Sequence, residues 1–275
     1  TSPRDALIAD VTIPELRGTA FGIHRAMDHA GAVVGPLVAA MLIGLAATSL
    51  KNVFLLAAIP SVAVMIILVA GVKETPRPAP VGDHAPGFGS LWEETGGDFK
   101  VFLSSLLVFT LGNSTDAFLL LRMTDAGIPA AGVALLWSAH HLVKVAATYV
   151  GGRLSDRVGR RRMILLGWTV YAAVYAAFAL VDSRAWLVIV FLAYGLYFGL
   201  AEPSEKALVA DLVPAHLRGT AFGCFNGVIS IGALPASLMF GVIWKLFGVS
   251  AAFMTGAGLA AVAAVLLLRV SPGLS

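Results

Sequence analysis

Residues 16–22 read LRGTAFG, and residues 217–223 read LRGTAFG again. At the same offset, residues 6–36 and 207–237 agree at 13 of 31 positions: Ala6, Leu7, Ala9, Asp10, Leu16 to Gly22, Gly31 and Ala32 match their counterparts. Two arbitrary apolar helices do not agree this often, so the chain holds two copies of one element. What that element is depends on whether the copies sit in water or in lipid.

Composition decides in favour of lipid. Hydrophobic residues make up 58% of the 275, charged residues 13%, and the mean hydropathy is +0.87, whereas a soluble domain carries roughly 25% charged residues. The net charge of +3 does not indicate nucleic acid, because the basic residues sit between apolar runs and not on one soluble face. One cysteine, Cys224, excludes an intrachain disulfide framework, and with no His/Cys cluster at ligand spacing no metal site is expected. The N-terminal TSPRDALIAD has no apolar core of the signal-peptide kind.

A membrane-crossing helix needs about 20 mostly apolar residues. Eight such runs stand out, near 19–45, 52–72, 99–121, 132–151, 163–181, 185–202, 219–243 and 248–269. They are continuous and not alternating, so none reads as a strand. The fold class is therefore all-α, a polytopic helical bundle. The Pro- and Gly-rich stretch from Lys73 to Asp98 divides two spans from six and reads as a linker. This makes residues 1–72 the remnant of one half, 73–98 a cytoplasmic linker and 99–275 a six-helix half.

Lys and Arg mark the cytoplasmic side. If the segment before the first span is inside, thirteen basic residues fall inside and only Lys51, Arg122, Arg184 and Lys245 outside. The C-terminus is then cytoplasmic, and the chain belongs to a cell's inner, or plasma, membrane.

Both copies of the repeat run from a short polar cytoplasmic loop into an outward-going span, as expected of parallel halves related by an axis along the membrane normal. The second copy is the fifth span of its half, but only two spans precede the linker. A twelve-helix protein represented here by eight helices, without the first four, is the expectation, and the chain by itself is not expected to transport.

Gly152-Arg-Leu-Ser-Asp156-Arg157-Val-Gly159-Arg160-Arg161 resembles the G-x-L-x-D-R-x-G-R-R loop motif of the major facilitator superfamily. Gly22, Gly31 and Gly35-Pro36 are similar to the fifth-helix motif of that superfamily's proton-driven drug antiporters, with Ala39-Ala40 in place of its closing Gly-Gly. The resemblance implies the major facilitator fold of two pseudo-symmetric halves, a small-molecule substrate and coupling to protons. It also implies that the loop carrying Asp156 docks on the start of the neighbouring fifth span at Arg17 and Gly18. A matching loop would dock at Arg218 and Gly219.

The physics of these residues stands beside the resemblance. Small residues let helices approach closely, and a proline removes a backbone donor and bends its helix. Asp156 is an acid among arginines, suited to the positive start of a helix. Arg161 and Arg162 are expected to meet lipid headgroups.

In the repeat alignment Arg4 falls on Glu205 and Asp5 on Lys206, reversing charge at both positions. A cytoplasmic gate of Arg4–Glu205 and Asp5–Lys206 pairs follows as an expectation. Ionisable residues inside spans are costly and are functional candidates by default. Asp28 lies roughly 16 Å beyond Arg17 in a hydrocarbon core about 30 Å thick. It is the first candidate proton carrier, modulated by Arg25 and flanked by His24, although a permanent Arg25–Asp28 pair explains it as well. Asp116, His140, His141 and Lys144 are weaker candidates.

The reading is a secondary transporter working by alternating access, preferably exporting a small organic compound in exchange for protons. An uptake symporter for a sugar or organic acid is the alternative, and a non-transporting scaffold or sensor a third. No cofactor, nucleic acid or enzymatic chemistry is implied. The lipid bilayer is the partner, and the full-length protein is expected to be a monomer.

Overall fold

The computed structural model describes residues 1–44, 49–71 and 87–271. Its elements are helices: α1 Ser2–Val11, α2 Arg17–Gly44, α3 Leu50–Leu56, α4 Ala58–Gly71, α5 Phe88–Glu94, α6 Gly97–Gly112, α7 Ala117–Asp125, α8 Ala130–Val158, α9 Arg160–Leu180, α10 Arg184–Leu212, α11 Arg218–Phe247 and α12 Val249–Leu267. Seven segments of the described chain are long and apolar enough to cross a membrane. Helix α8 is 29 residues long but is not among the seven, since His140, His141 and Lys144 dilute its apolar run.

The chain divides into two compact units, Thr1–Ala30 with Pro86–Ser275, and Gly31–Ala85. The smaller unit holds the distal part of α2 with α3 and α4. No side chain of α4 is buried within the protein, and the span Lys51–Gly71 has a mean hydropathy of 2.8, a composition suited to lipid on all sides.

The larger unit carries the repeat in its local structure. A single 3-10 turn, Pro14–Leu16, leads into α2, and a second, Ala215–Leu217, leads into α11 at the equivalent place. Each turn follows a helix, α1 in the first copy and the last part of α10 in the second. Most of the linker lies outside the described residues, but its end forms α5, whose Leu91 is buried and whose Trp92 ring lies 5.5 Å from Lys100 Nζ.

Close helix approach rests on glycine where it is needed. A Cβ on Gly151 would collide with the Gly199 carbonyl, and one on Gly256 would lie 2.8 Å from the Gly112 carbonyl, so α8 packs on α10 and α12 on α6 backbone to backbone. Gly159, with φ 101°, makes the sharp turn from α8 to α9 that a side chain would strain. Between these helices Phe109, Trp168, Tyr171, Tyr175, Tyr194 and Tyr197 form one buried aromatic core, with Phe109 stacked on Trp168 at 4.6 Å and Tyr171 on Tyr175 at 4.2 Å.

The span Gly97–Asp125 is broken between α6 and α7 at Asn113-Ser-Thr-Asp116. Backbone groups released there find side chains: Tyr171 Oη donates to the Gly112 carbonyl at 3.0 Å, and Thr115 N donates to Ser237 Oγ at 3.3 Å. Irregular backbone at such a place survives only when the protein satisfies it.

Candidate transport site and gate

At the basic end of the larger unit, the Asp156 carboxylate caps the start of α2. Oδ1 accepts from Gly18 N at 2.9 Å, and Oδ2 accepts from Thr19 N at 2.8 Å and Thr19 Oγ1 at 2.6 Å. Arg160, one turn on, donates to the same carboxylate. Asp156 therefore meets backbone donors and positive helix-end dipole together. Gly18 has to be glycine here, because a Cβ would lie 2.6 Å from both the Gly152 carbonyl and Arg160 Nη1. Gly22 packs likewise, 2.6 Å from the Thr148 carbonyl and 2.9 Å from Gly152 Cα when given a Cβ. A Cβ on Gly219 or Gly223, their counterparts in the repeat, would meet nothing within 4 Å.

Arg160 extends the joint by donating to the Pro14 carbonyl at 2.8 Å and approaching Asp211 at 3.3 Å. Arg17 donates to Asp211 at 2.6 Å, and Arg218 donates to Asp10 at 2.8 Å. These two pairs are one interaction made twice, each arginine of the repeat reaching for the aspartate of the other copy. Phe21 and Phe222, again equivalent, face each other with ring centroids 5.9 Å apart.

Lys206 Nζ donates to Asp5 Oδ2 at 2.7 Å, with both side chains buried. The expected Arg4–Glu205 pair is absent. Arg4 lies 3.4 Å from Asp5 with 45% of its side chain exposed, and Glu205 accepts from Trp168 Nε1 at 2.8 Å. The reason lies in α10, which continues through Pro203 to Leu212 and carries Glu205 and Lys206 into the core as helical residues, not loop charges.

Further along α2, Arg25 joins two carboxylates. It donates to Glu202 through Nε at 2.8 Å and through Nη2, and to Asp28 at 3.2 Å. His29 Nε2 lies 3.5 Å from Glu202, and His24 Nδ1 lies 3.8 Å from Asp28. Asp28, with 40% of its side chain exposed, is thus no isolated acid. Its strongest neighbour is held mainly by Glu202, a residue not singled out from the sequence because it closes the apolar run 185–202. The equivalent of Arg25 in the repeat is Asn226, which donates to Ser2 Oγ at 3.0 Å; one side of the repeat interface is ionic and the other neutral.

On α8 and at the helix break, Lys144 Nζ lies 3.6 Å from Asp116 Oδ2 and 3.4 Å from the centre of the Phe198 ring, a cation held by an acid and a π-face. Tyr194 Oη donates to Asp116 at 2.9 Å. His140 is fully buried between Phe191 and Tyr194. The His141 ring lies 5.8 Å from His29, which links this group to Glu202 and Arg25. Acids and bases from α2, α8, α10 and the break before α7 are therefore gathered together.

Other motif residues stand apart. Gly31, Gly35 and Pro36 lie in the part of α2 that belongs to the smaller unit, and Gly22 is the motif glycine at which a close helix approach is seen within the larger one. Arg157 is exposed. Arg161 donates to the Leu268 carbonyl at 2.6 Å, closing the end of α12.

Repeated long apolar helices define a multi-pass membrane protein. The family model of the Major Facilitator Superfamily matches residues 101–275, and the chain belongs to that superfamily, a family of transporters and not of enzymes. The uncharacterized MFS-type transporter MJ1317 of Methanocaldococcus jannaschii is 31% identical over 98% of this chain, which spans 68% of that relative. The quinolone resistance protein NorA of Staphylococcus aureus is 24% identical over 49% of the chain and 34% of its own length. Among solved structures, that of the human organic anion transporter MFSD10 (TETRAN) superposes with a TM-score of 0.80 at 16% identity, covering 97% of this chain and 67% of its own.

Proposed function

We propose that the protein is a secondary active transporter that exports a small organic molecule in exchange for protons, by alternating access. The observation that supports this most is the intramembrane network Asp28–Arg25–Glu202, beside Asp116–Lys144. Charges are kept inside a membrane bundle at a cost of several kcal/mol, roughly 2.5–3.5 each by insertion scales, and mark ion and substrate paths. The similarity to NorA supports export.

In this reading the basic end faces the cytoplasm of a plasma-membrane protein, with the C-terminus on the same side, and the conformer is the one closed at that end. The Arg17–Asp211, Arg218–Asp10 and Asp5–Lys206 pairs hold it shut and part when it opens. Asp28, the more exposed of the two acids on Arg25, exchanges its proton, and its neutralisation returns Arg25 to Glu202. Asp116 and Lys144 orient the substrate. The protein works as a monomer. Uptake with protons is the second reading, favoured by Ala39-Ala40 where the antiporter-like motif closes with glycines.

Inverted membrane vesicles from cells expressing the full-length gene test this. With an acidic lumen and a pH-sensitive dye, organic cations, antibiotics and organic acids are added in turn. Substrate-induced alkalinisation that is lost in Asp28→Asn supports antiport; substrate-induced acidification supports the symport reading, and no proton movement with any compound overturns both.

A further inference from the structure

Two carboxylates in the described residues are almost wholly buried, Asp5 at 0% and Glu205 at 5% exposure. Asp5 is met by Lys206 Nζ at 2.7 Å. Glu205 has no lysine, arginine or histidine within 4.0 Å among the described residues. Its one hydrogen bond comes from Trp168 Nε1, 2.8 Å from Oε1, and Trp168 is itself fully buried and stacked on Phe109.

The charged groups around Glu205 are already committed. Arg25 on α2 is shared between Glu202 and Asp28, Lys206 on the same helix is taken by Asp5, and Arg4 on α1 is turned outward. Glu202, one turn back on α10, adds negative charge. An ionised carboxylate supported by a single neutral donor has lost most of its aqueous solvation without replacement, and binding a proton removes that cost.

We infer that Glu205 carries a proton in this conformation and is a proton-binding site tied to closure of the basic end, separate from Asp28. When Asp5 and Lys206 part, water and Arg4, the counterpart of Glu205 in the repeat, reach the carboxyl. Its O–H bond breaks, the proton passes to that water, and the carboxylate remains solvated until the end closes and the proton is taken up again. The role in turnover rests on the transporter reading; the protonation does not.

Infrared difference spectroscopy of the purified protein in lipid at neutral pH tests it. Wild type minus Glu205→Gln is expected to show the C=O stretch of a protonated carboxyl that shifts on deuteration, and Trp168→Phe is expected to move that band to higher frequency by removing its hydrogen bond. If Glu205→Gln does not fold, the Trp168→Phe spectrum decides alone: a change in the protonated-carboxyl region supports the site, and a change confined to the carboxylate stretches overturns it. Absence of any protonated band in the first difference overturns it too. A band that is present in a protein that moves no protons overturns only the transporter reading.

Discussion

Asp5 and Lys206 occupy the same position in the two copies of the repeat, and they touch: Lys206 Nζ lies 2.7 Å from Asp5 Oδ2 with both side chains buried. A residue meets its own counterpart only close to the axis that relates the copies, where identical charges would repel. Reversal of charge at this one position is therefore required by the symmetry of the contact.

Asp5→Lys or Lys206→Asp alone leaves a buried, uncompensated charge, expected to cost about 3–5 kcal/mol and to abolish transport. The double exchange is expected to restore a large part of both, as read by a double-mutant cycle on thermal stability in detergent and on transport. The parallel exchange Arg4→Glu with Glu205→Arg is expected to give no rescue of thermal stability, because in this conformation those residues make no pair.

Asp156→Asn keeps the shape of the joint at α2 but removes its charge and one acceptor oxygen. Charge-assisted hydrogen bonds contribute about 1.5–3 kcal/mol, so the melting temperature falls and transport slows sharply. Asp10→Asn, on the Arg218 side of the repeat pair, is expected to do less in the same two assays.

Gly22→Ala and Gly152→Ala force apart helices whose backbones are in contact, expected to cost about 1–3 kcal/mol or more. Gly223→Ala and Gly258→Ala meet open space, and are expected to leave the melting temperature unchanged. Equal effects at all four positions would show that the close approach is not where the structure puts it.

Glu202→Gln is expected to damage transport at least as much as Asp28→Asn, since Glu202 holds Arg25 through two nitrogens and Asp28 through one. Arg25→Gln strands Glu202 as well, and combining Arg25→Gln with Glu202→Gln is expected to recover stability though not activity. Thermal melts of the two single variants and the double variant check this.

The helical architecture and the repeat were readable in the chain, because identity between copies and a run of apolar residues are local signals, whereas the place of Asp156 followed from the resemblance of its loop motif. Glu202 was not, because Pro203 reads as a terminator although α10 passes through it, with Ser204 Oγ bonding the Leu200 carbonyl. The alignment that pairs Arg4 with Glu205 supplies equivalent positions but says nothing of rotamers, and Trp168, 37 residues away in the chain, offers Glu205 a nearer donor. The break in the span 97–125 had a signal in Gly112-Asn-Ser-Thr-Asp116, turn-forming residues inside an apolar run.

The central claim is that the basic end opens and closes along the repeat interface during transport. Cross-linking tests it most directly: Phe21→Cys with Phe222→Cys, in a Cys224→Ser background, joined by a short bifunctional thiol reagent that reduction cleaves. The account predicts that substrate-driven proton movement in vesicles stops when the link forms and returns when it is cut. Undiminished transport with the link complete would contradict it.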